Sequence, residues 1–252
     1  MNNLDLWVAT RLIELAENAE AGDGDGVVAQ QLTRDVAELL APAEIGLLLS
    51  AEEGSVTVPA ASSIRARDLA SLEAQQLAGP CTECMSSAKP VLNQPVTMAA
   101  AVQWPAFAAA AHSMGFETVS ALPILRGDHA IGAVSVLAAG DHPLSETGFR
   151  IAQIMTRAAA VLISQQRELS VRARMAEQLQ GALETRVVIE QAKGATAARL
   201  GITPDAAFDL LRGYARRENL TLADIARQTV LGELQAHELF SSRRADTKRS
   251  ES

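Results

Sequence analysis

Residues 185–230 read TRVVIEQAKGATAARLGITPDAAFDLLRGYARRENLTLADIARQTV, and their punctuation divides them into three helices. The first is expected from about residue 184 to Leu200 and stops at Gly201, a residue able to take the left-handed conformation at a helix end. Thr203 is placed to cap the second, with Pro204 at its first position and Asp205 near the positive end of its dipole. Asn219 and Leu220 break the pattern, and Thr221 with Asp224 opens a third helix in the manner of a capping box. Ala207, Phe208, Leu211, Leu222, Ile225 and Ala226 are the residues expected to bury against one another.

Upstream, the apolar period changes. Leu4, Val8, Leu12, Ile13 and Leu15 recur at helical spacing until AGDGDG at 21–26, and a second helix is expected over roughly 27–40, before Pro42. EIGLLLSAEEGSVTVPAAS then reads as a hairpin turning near Glu53 and Gly54. Residues 65–78 return to helix, GPCTECMSSAKPVLN gives a tight loop, a short helix near 82–88 and an extended run, and 104–114 is helical with Pro105 in its first turn. Two strands, Thr118–Ile124 and Ala130–Ala138, face each other across Gly127 and Asp128. Helices flanking central hairpins make an α+β domain with an antiparallel sheet.

From residue 145 one helical tract runs on. Ala158, Leu162, Gln165, Leu169, Arg172, Ala176, Leu179 and Leu183 alternate four- and three-residue steps, the spacing of a coiled-coil seam, so a homodimer is expected, the other reading being a single helix packed on its own domain. The expected division is a sensor-sized unit over 1–150, a helical coiled-coil linker over 151–185, an all-α three-helix domain over 186–232 and a flexible tail over 233–252.

Charge separates the same regions. Residues 1–150 hold 7 Lys/Arg against 18 Asp/Glu, a net of −11, whereas 151–252 hold 15 against 12, a net of +3. Only the second half suits a polyanion, and with so small an excess the contact must come from charges gathered on one face. Arg212 and Arg216 lie four apart on the second helix with Arg217 beside them; Lys193, Arg199 and Arg227 come from the other two. Tyr214, the aromatic side chain among them, is read either as a ring to stack on a base or as a partly buried packing residue. A solvated surface face is the alternative for all of these charges.

Other classes are disfavoured. Asp5, Arg11 and Glu14 interrupt the first apolar stretch, and no run of about 18 apolar residues occurs, so neither a signal peptide nor a membrane span is expected and the location is read as cytoplasmic. Phosphate loops, GxGxxG, GxSxG and HExxH patterns are absent, and the chain is read as a non-enzyme; whether it takes a cofactor is left open. Cys81 and Cys84 form a CxxC pair at a helix start, where a thiol pKa tends to fall; a redox role is one reading, inert buried thiols the other. His112, His129, His142 and His237 show no metal-binding spacing, so no metal site is expected.

Two family resemblances join this reading. The stretch ALPILRGDHAIGAVSVLAAGDHPLSETGFRIAQIMTRAAAVLI resembles the last two strands and closing helix of a GAF domain, with GPCTECMSSAKPV similar to the loop and short helix of GAF domains attached to antitermination modules. That resemblance covers roughly 10–165 and implies a sensor for a small-molecule ligand; the cyclic-nucleotide signature NKFDE is absent. Residues 185–230 resemble an ANTAR domain through IEQAKG at 189–194, Arg199, Gly201, AAFDLLR at 206–212 and LTLADIARQTV. The ANTAR resemblance implies antitermination by binding paired RNA hairpins, with Lys193, Arg199, Arg212, Tyr214, Arg216, Arg217 and Arg227 as the RNA surface. A DNA-binding helix-turn-helix, with 222–230 as the recognition helix, is the alternative, although only Arg227 and Gln228 are there to read bases.

Overall fold

The computed structural model describes residues 3–21, 24–51, 54–96, 103–140 and 142–234, and the chain divides into two compact units, residues 1–171 and 172–252. The expected turn residue Glu53, His237 and the tail beyond residue 234 lie outside the described residues.

The first unit is built on five antiparallel strands in the order β2-β1-β5-β4-β3: β1 (Glu44–Ser50), β2 (Val56–Ala61), β3 (Val91–Pro95), β4 (Thr118–Arg126) and β5 (His129–Ala138). Strands β1 and β5 are apolar at almost every position because both faces of the sheet are covered. Ile45, Leu47, Leu49, Leu122, Ile124, Val134 and Val136 point to one face, where α1 (Asn3–Ala21), α2 (Asp25–Leu39) and the start of α6 (Glu146–Leu200) pack with Leu15, Leu32, Val36, Met155 and Ile163. The intervening residues Leu48, Ala121, Ala133, Val119 and Leu137 face α3 (Ile64–Gln76), α4 (Pro80–Ser87) and α5 (Pro105–Ser113). The alternation is the period-2 geometry of a strand expressed on two cores. Gly132 marks the tightest crossing: a Cβ there would lie 2.4 Å from the Leu48 carbonyl oxygen and 2.5 Å from Leu49.

Helix α4 starts at Pro80, two residues before the expected position, because Pro80 takes the first-turn place where a missing N–H costs nothing. Helix α6 is anchored along the first unit. Ile151, Ala152, Met155, Ala159 and Ile163 are buried in its core, Gln166 donates to the Ala19 carbonyl (2.8 Å), and Arg167 reaches both Asp25 (2.5 Å) and the Ser50 carbonyl (2.9 Å). Ala158 and Leu162, the first two seam positions, are partly buried against that same core. Leu169, Leu179 and Leu183, further along the seam, are instead about 60% exposed, as is Met175 beside it.

The second unit contains the end of α6, α7 (Pro204–Arg217) and α8 (Leu222–Leu231). Its core joins Ala192 of α6, Leu211 and Ala215 of α7, and Ile225, Ala226 and Leu234, with Val188, Ile189, Tyr214 and Leu222 packed around them. Phe208 is half-buried and stands outside that cluster; α7 turns Leu210, Leu211 and Ala215 inward instead, one helical stripe that leaves Phe208 on its flank.

Candidate nucleic-acid interface

The three-helix unit owes its shape to two capped turns. Thr203 Oγ1 accepts from the Ala206 amide (3.3 Å), and Thr221 Oγ1 accepts from the Asp224 amide (3.1 Å) while donating to the Asp224 carboxylate (2.6 Å). Gly201 and Asn219, which end the preceding helices, both hold left-handed backbone angles (φ 65° and 55°). These bonds satisfy amides that a helix start leaves open and fix the entry of α7 and α8.

Burial of the α7 stripe throws Arg212 and Arg216 outward, one turn apart on the exposed face. Neither guanidinium has a hydrogen-bond or ion-pair partner among the described residues, and the same is true of Arg199. The other four positions differ. Lys193 is mostly covered and paired with Glu190 (2.5 Å), Arg227 lies 3.5 Å from Asp224, and Arg217 sits over the half-buried Tyr214 ring at 5.7 Å. Lys193 and Arg199 are six residues apart, about 240° around the helix, so they occupy different faces of α6. Of the candidate cations, those without a partner among the described residues are therefore Arg212 and Arg216 together and Arg199 at the helix end.

The cysteine pair meets an environment opposite to the lowered pKa expected of a helix start. Cys81 and Cys84 are buried with Leu48, Ala70, Ala121 and Ala133. Burial, and then the neighbouring Glu73, pushes the Cys81 thiol well above its ordinary value, and burial raises Cys84 to about 12. Desolvation outweighs the helix dipole here. Glu73 carries no sequence signal, yet it is 1% exposed, accepts from the Thr82 amide (2.7 Å), and is pushed up to about 7 by burial. Among the described residues no group of three His, Cys, Asp or Glu side chains is arranged to hold a metal, and no helix is long and apolar enough to cross a membrane.

Comparison with known proteins places these features. A GAF domain model matches residues 26–164, the sheet unit and its closing helix, and an ANTAR domain model matches 177–230, the end of α6 with α7 and α8. The chain belongs to the GAF family and carries an ANTAR domain. Solved structures similar to the GAF part include the GAF domain from Acinetobacter phosphoenolpyruvate-protein phosphotransferase, at 11% identity and TM-score 0.49, with 67% of this chain and 97% of that one covered. The GAF domain of a Coxiella burnetii phosphoenolpyruvate-protein phosphotransferase gives 11% and 0.49 over 66% and 98% of the two chains. Residues 122 to 287 of a methyl-accepting chemotaxis protein give 14% and 0.48 over 62% and 98%. No curated protein matches the chain. Within the ANTAR domain the unpartnered cations Arg212 and Arg216 lie inside the matched segment, as do Lys193, Arg199, Tyr214, Arg217 and Arg227.

Proposed function

We propose that this GAF-ANTAR chain is a signal-responsive antitermination regulator whose ANTAR domain grips paired RNA hairpins and whose GAF domain gates that contact. The observation that carries the reading is the Arg212–Arg216 pair, exposed and unpartnered on α7 within an ANTAR match. Two guanidiniums one turn apart suit successive phosphates of a backbone, and Arg199 adds a third cation. Tyr214, half-covered by Arg217, serves the reading as a packing residue that opens a face to a loop base only if Arg217 moves onto RNA. Neither domain is of a catalytic kind, and no catalytic residue is assigned.

A homodimer belongs to the same reading. Leu169, Met175, Leu179 and Leu183 leave large apolar side chains in water on α6, which a second copy of the helix would cover. Two linked ANTAR units gain apparent affinity for two hairpins only when both engage at once, so a signal that alters the pairing of the helices switches RNA binding.

The test is a gel-shift titration of the full chain against tandem-hairpin RNA, single-hairpin RNA and duplex DNA at two salt concentrations. Tandem RNA is expected to bind tightest, with Arg212→Ala/Arg216→Ala weakening it by about tenfold or more and reducing the salt dependence. Sedimentation of the same samples is expected to give a dimer that Leu179→Glu/Leu183→Glu dissociates. Preference for duplex DNA, or RNA binding unchanged in the arginine variant, overturns the assignment.

A further inference from the structure

The first unit is strongly acidic, yet two of its few arginines stand at one cavity. The hollow, about 420 Å³, lies where α2, the edge strand β2 and the first turn of α3 meet, and it is walled by Gln30, Thr33, Arg34, Ala60, Ser62 and Arg67. That volume is within the range of small-molecule sites. No Asp or Glu is among the residues lining it.

The arrangement follows from how the α2 carboxylates are used. Asp35 and Glu38 turn toward α1, where Arg11 lies 3.7 Å from Asp35 and 2.7 Å from Glu38, and Trp7 also donates to Glu38 (3.1 Å). Arg34, one residue before Asp35, lines the cavity, and its guanidinium donates to the Gln31 side-chain oxygen at 3.2 Å. Arg67 has no side-chain partner among the described residues, and the adjacent Asp68 forms no ion pair with it. The wall also holds the Thr33 hydroxyl, buried without a hydrogen-bond partner, and Ser62, whose oxygen accepts from the Ile45 amide at 2.7 Å and keeps its own proton to donate. A second cavity, of about 310 Å³ by the starts of β1 and β4, differs in this respect: its Arg65 is already held by Glu44 and by the Met114 carbonyl, and its Asn93 is bound to Ser120 and Leu144.

We propose that the cavity between α2, β2 and α3 binds a small phosphate-bearing metabolite through Arg34 and Arg67. Two guanidinium forks from different elements match a phosphate dianion better than a single carboxylate, and Gln30 and Ser62 supply neutral donors for its remaining oxygens or for the ester-linked part. The apolar Ala60 wall accepts a compact carbon skeleton. The site lies wholly within residues 1–171, so it stands or falls independently of RNA binding.

The test is calorimetric titration of the full-length protein with two probes, inorganic phosphate and ribose 5-phosphate, at low and physiological salt. Saturable binding of ribose 5-phosphate is expected, weaker for inorganic phosphate and weaker for both as salt rises. Arg34→Ala/Arg67→Ala is expected to lose at least about tenfold in affinity and Arg34→Lys/Arg67→Lys to recover part of it, with Arg126→Ala, at the last residue of β4, unchanged. Because both positions are on the surface, unchanged circular dichroism and melting of the variants show that a loss of binding is not a loss of fold. Tighter binding of inorganic phosphate than of the ester identifies free phosphate rather than a metabolite and overturns that part. Failure of both probes to saturate by about 10 mM, or binding undiminished in the alanine variant, overturns the site itself.

Discussion

Glu73→Gln is expected to stabilise the GAF domain at pH 8 and to leave it nearly unchanged at pH 4. Glu73 lies under α4 with 1% exposure, its oxygen accepting from the Thr82 amide, and a Cβ on Gly79 would come within 2.5 Å of it, so water is kept from the carboxyl. Burial raises its pKa from 4.5 to about 7. Below 4.5 both the folded and the unfolded chain carry the proton, and the group is neutral to stability. Between 4.5 and 7 the unfolded chain releases the proton while the folded one keeps it, so stability falls as pH rises. Above 7 the folded domain holds a buried anion, and the whole difference, about 3 kcal/mol, is in place. Glutamine keeps the oxygen that accepts from Thr82 and has no charge to bury, so it removes that loss. For a domain of this size about 3 kcal/mol corresponds to roughly 6–12 °C in melting temperature. Differential scanning calorimetry of wild type and variant between pH 4 and 8 reads the effect. Comparing the two pH values cancels any pH-independent cost of fitting the amide. Asp35, also raised by burial, tilts the wild-type curve the same way and Glu38, lowered by its bonds to Trp7 and Arg11, the opposite way, but both remain in the variant and drop out of the difference. A Glu73→Gln gap of equal size at pH 4 and pH 8 would refute the reasoning.

Two further outcomes test the packing. Gly132→Ala is expected to destabilise the GAF domain by about 2–3 kcal/mol, since its methyl group would press on the Leu48 carbonyl, backbone that the β1–β5 pairing holds in place; denaturant unfolding followed at the sheet checks this. Thr221→Ala removes the cap of α8 and is expected to lower hydrogen-exchange protection of its amides by about 1 kcal/mol while the sheet amides keep theirs.

The helices and strands were legible in the sequence where a local physical rule governed them. Thr203-Pro204-Asp205 and Thr221 announced two helix starts because capping is settled within four residues, and the β4–β5 hairpin was visible because Gly127 and Asp128 supply its turn. The wrong assignment of Phe208 to the core has an equally local reason: its period on α7 is one step from Leu211, and only the approach of α8 and α6 decides which flank is covered. Cys81 and Cys84 looked electrostatically favoured at a helix start, but two residues of sequence do not disclose that a sheet closes over them.

Charge followed the same division. The contrast between an acidic first half and a mildly basic second half, and the i,i+4 spacing of Arg212 and Arg216, are properties of the chain written in order, and they mark the cationic part of the chain without reference to its fold. Which cations are free is not such a property. Lys193 is taken by Glu190 and Arg227 lies beside Asp224, whereas Arg34 and Arg67, 33 positions apart, meet at one cavity because α2 and α3 flank the same edge strand. Sequence determined the elements, their order and the sign of each surface, since these depend on neighbours along the chain; tertiary structure alone decided burial, pKa and which distant side chains share a site, since these depend on neighbours in space.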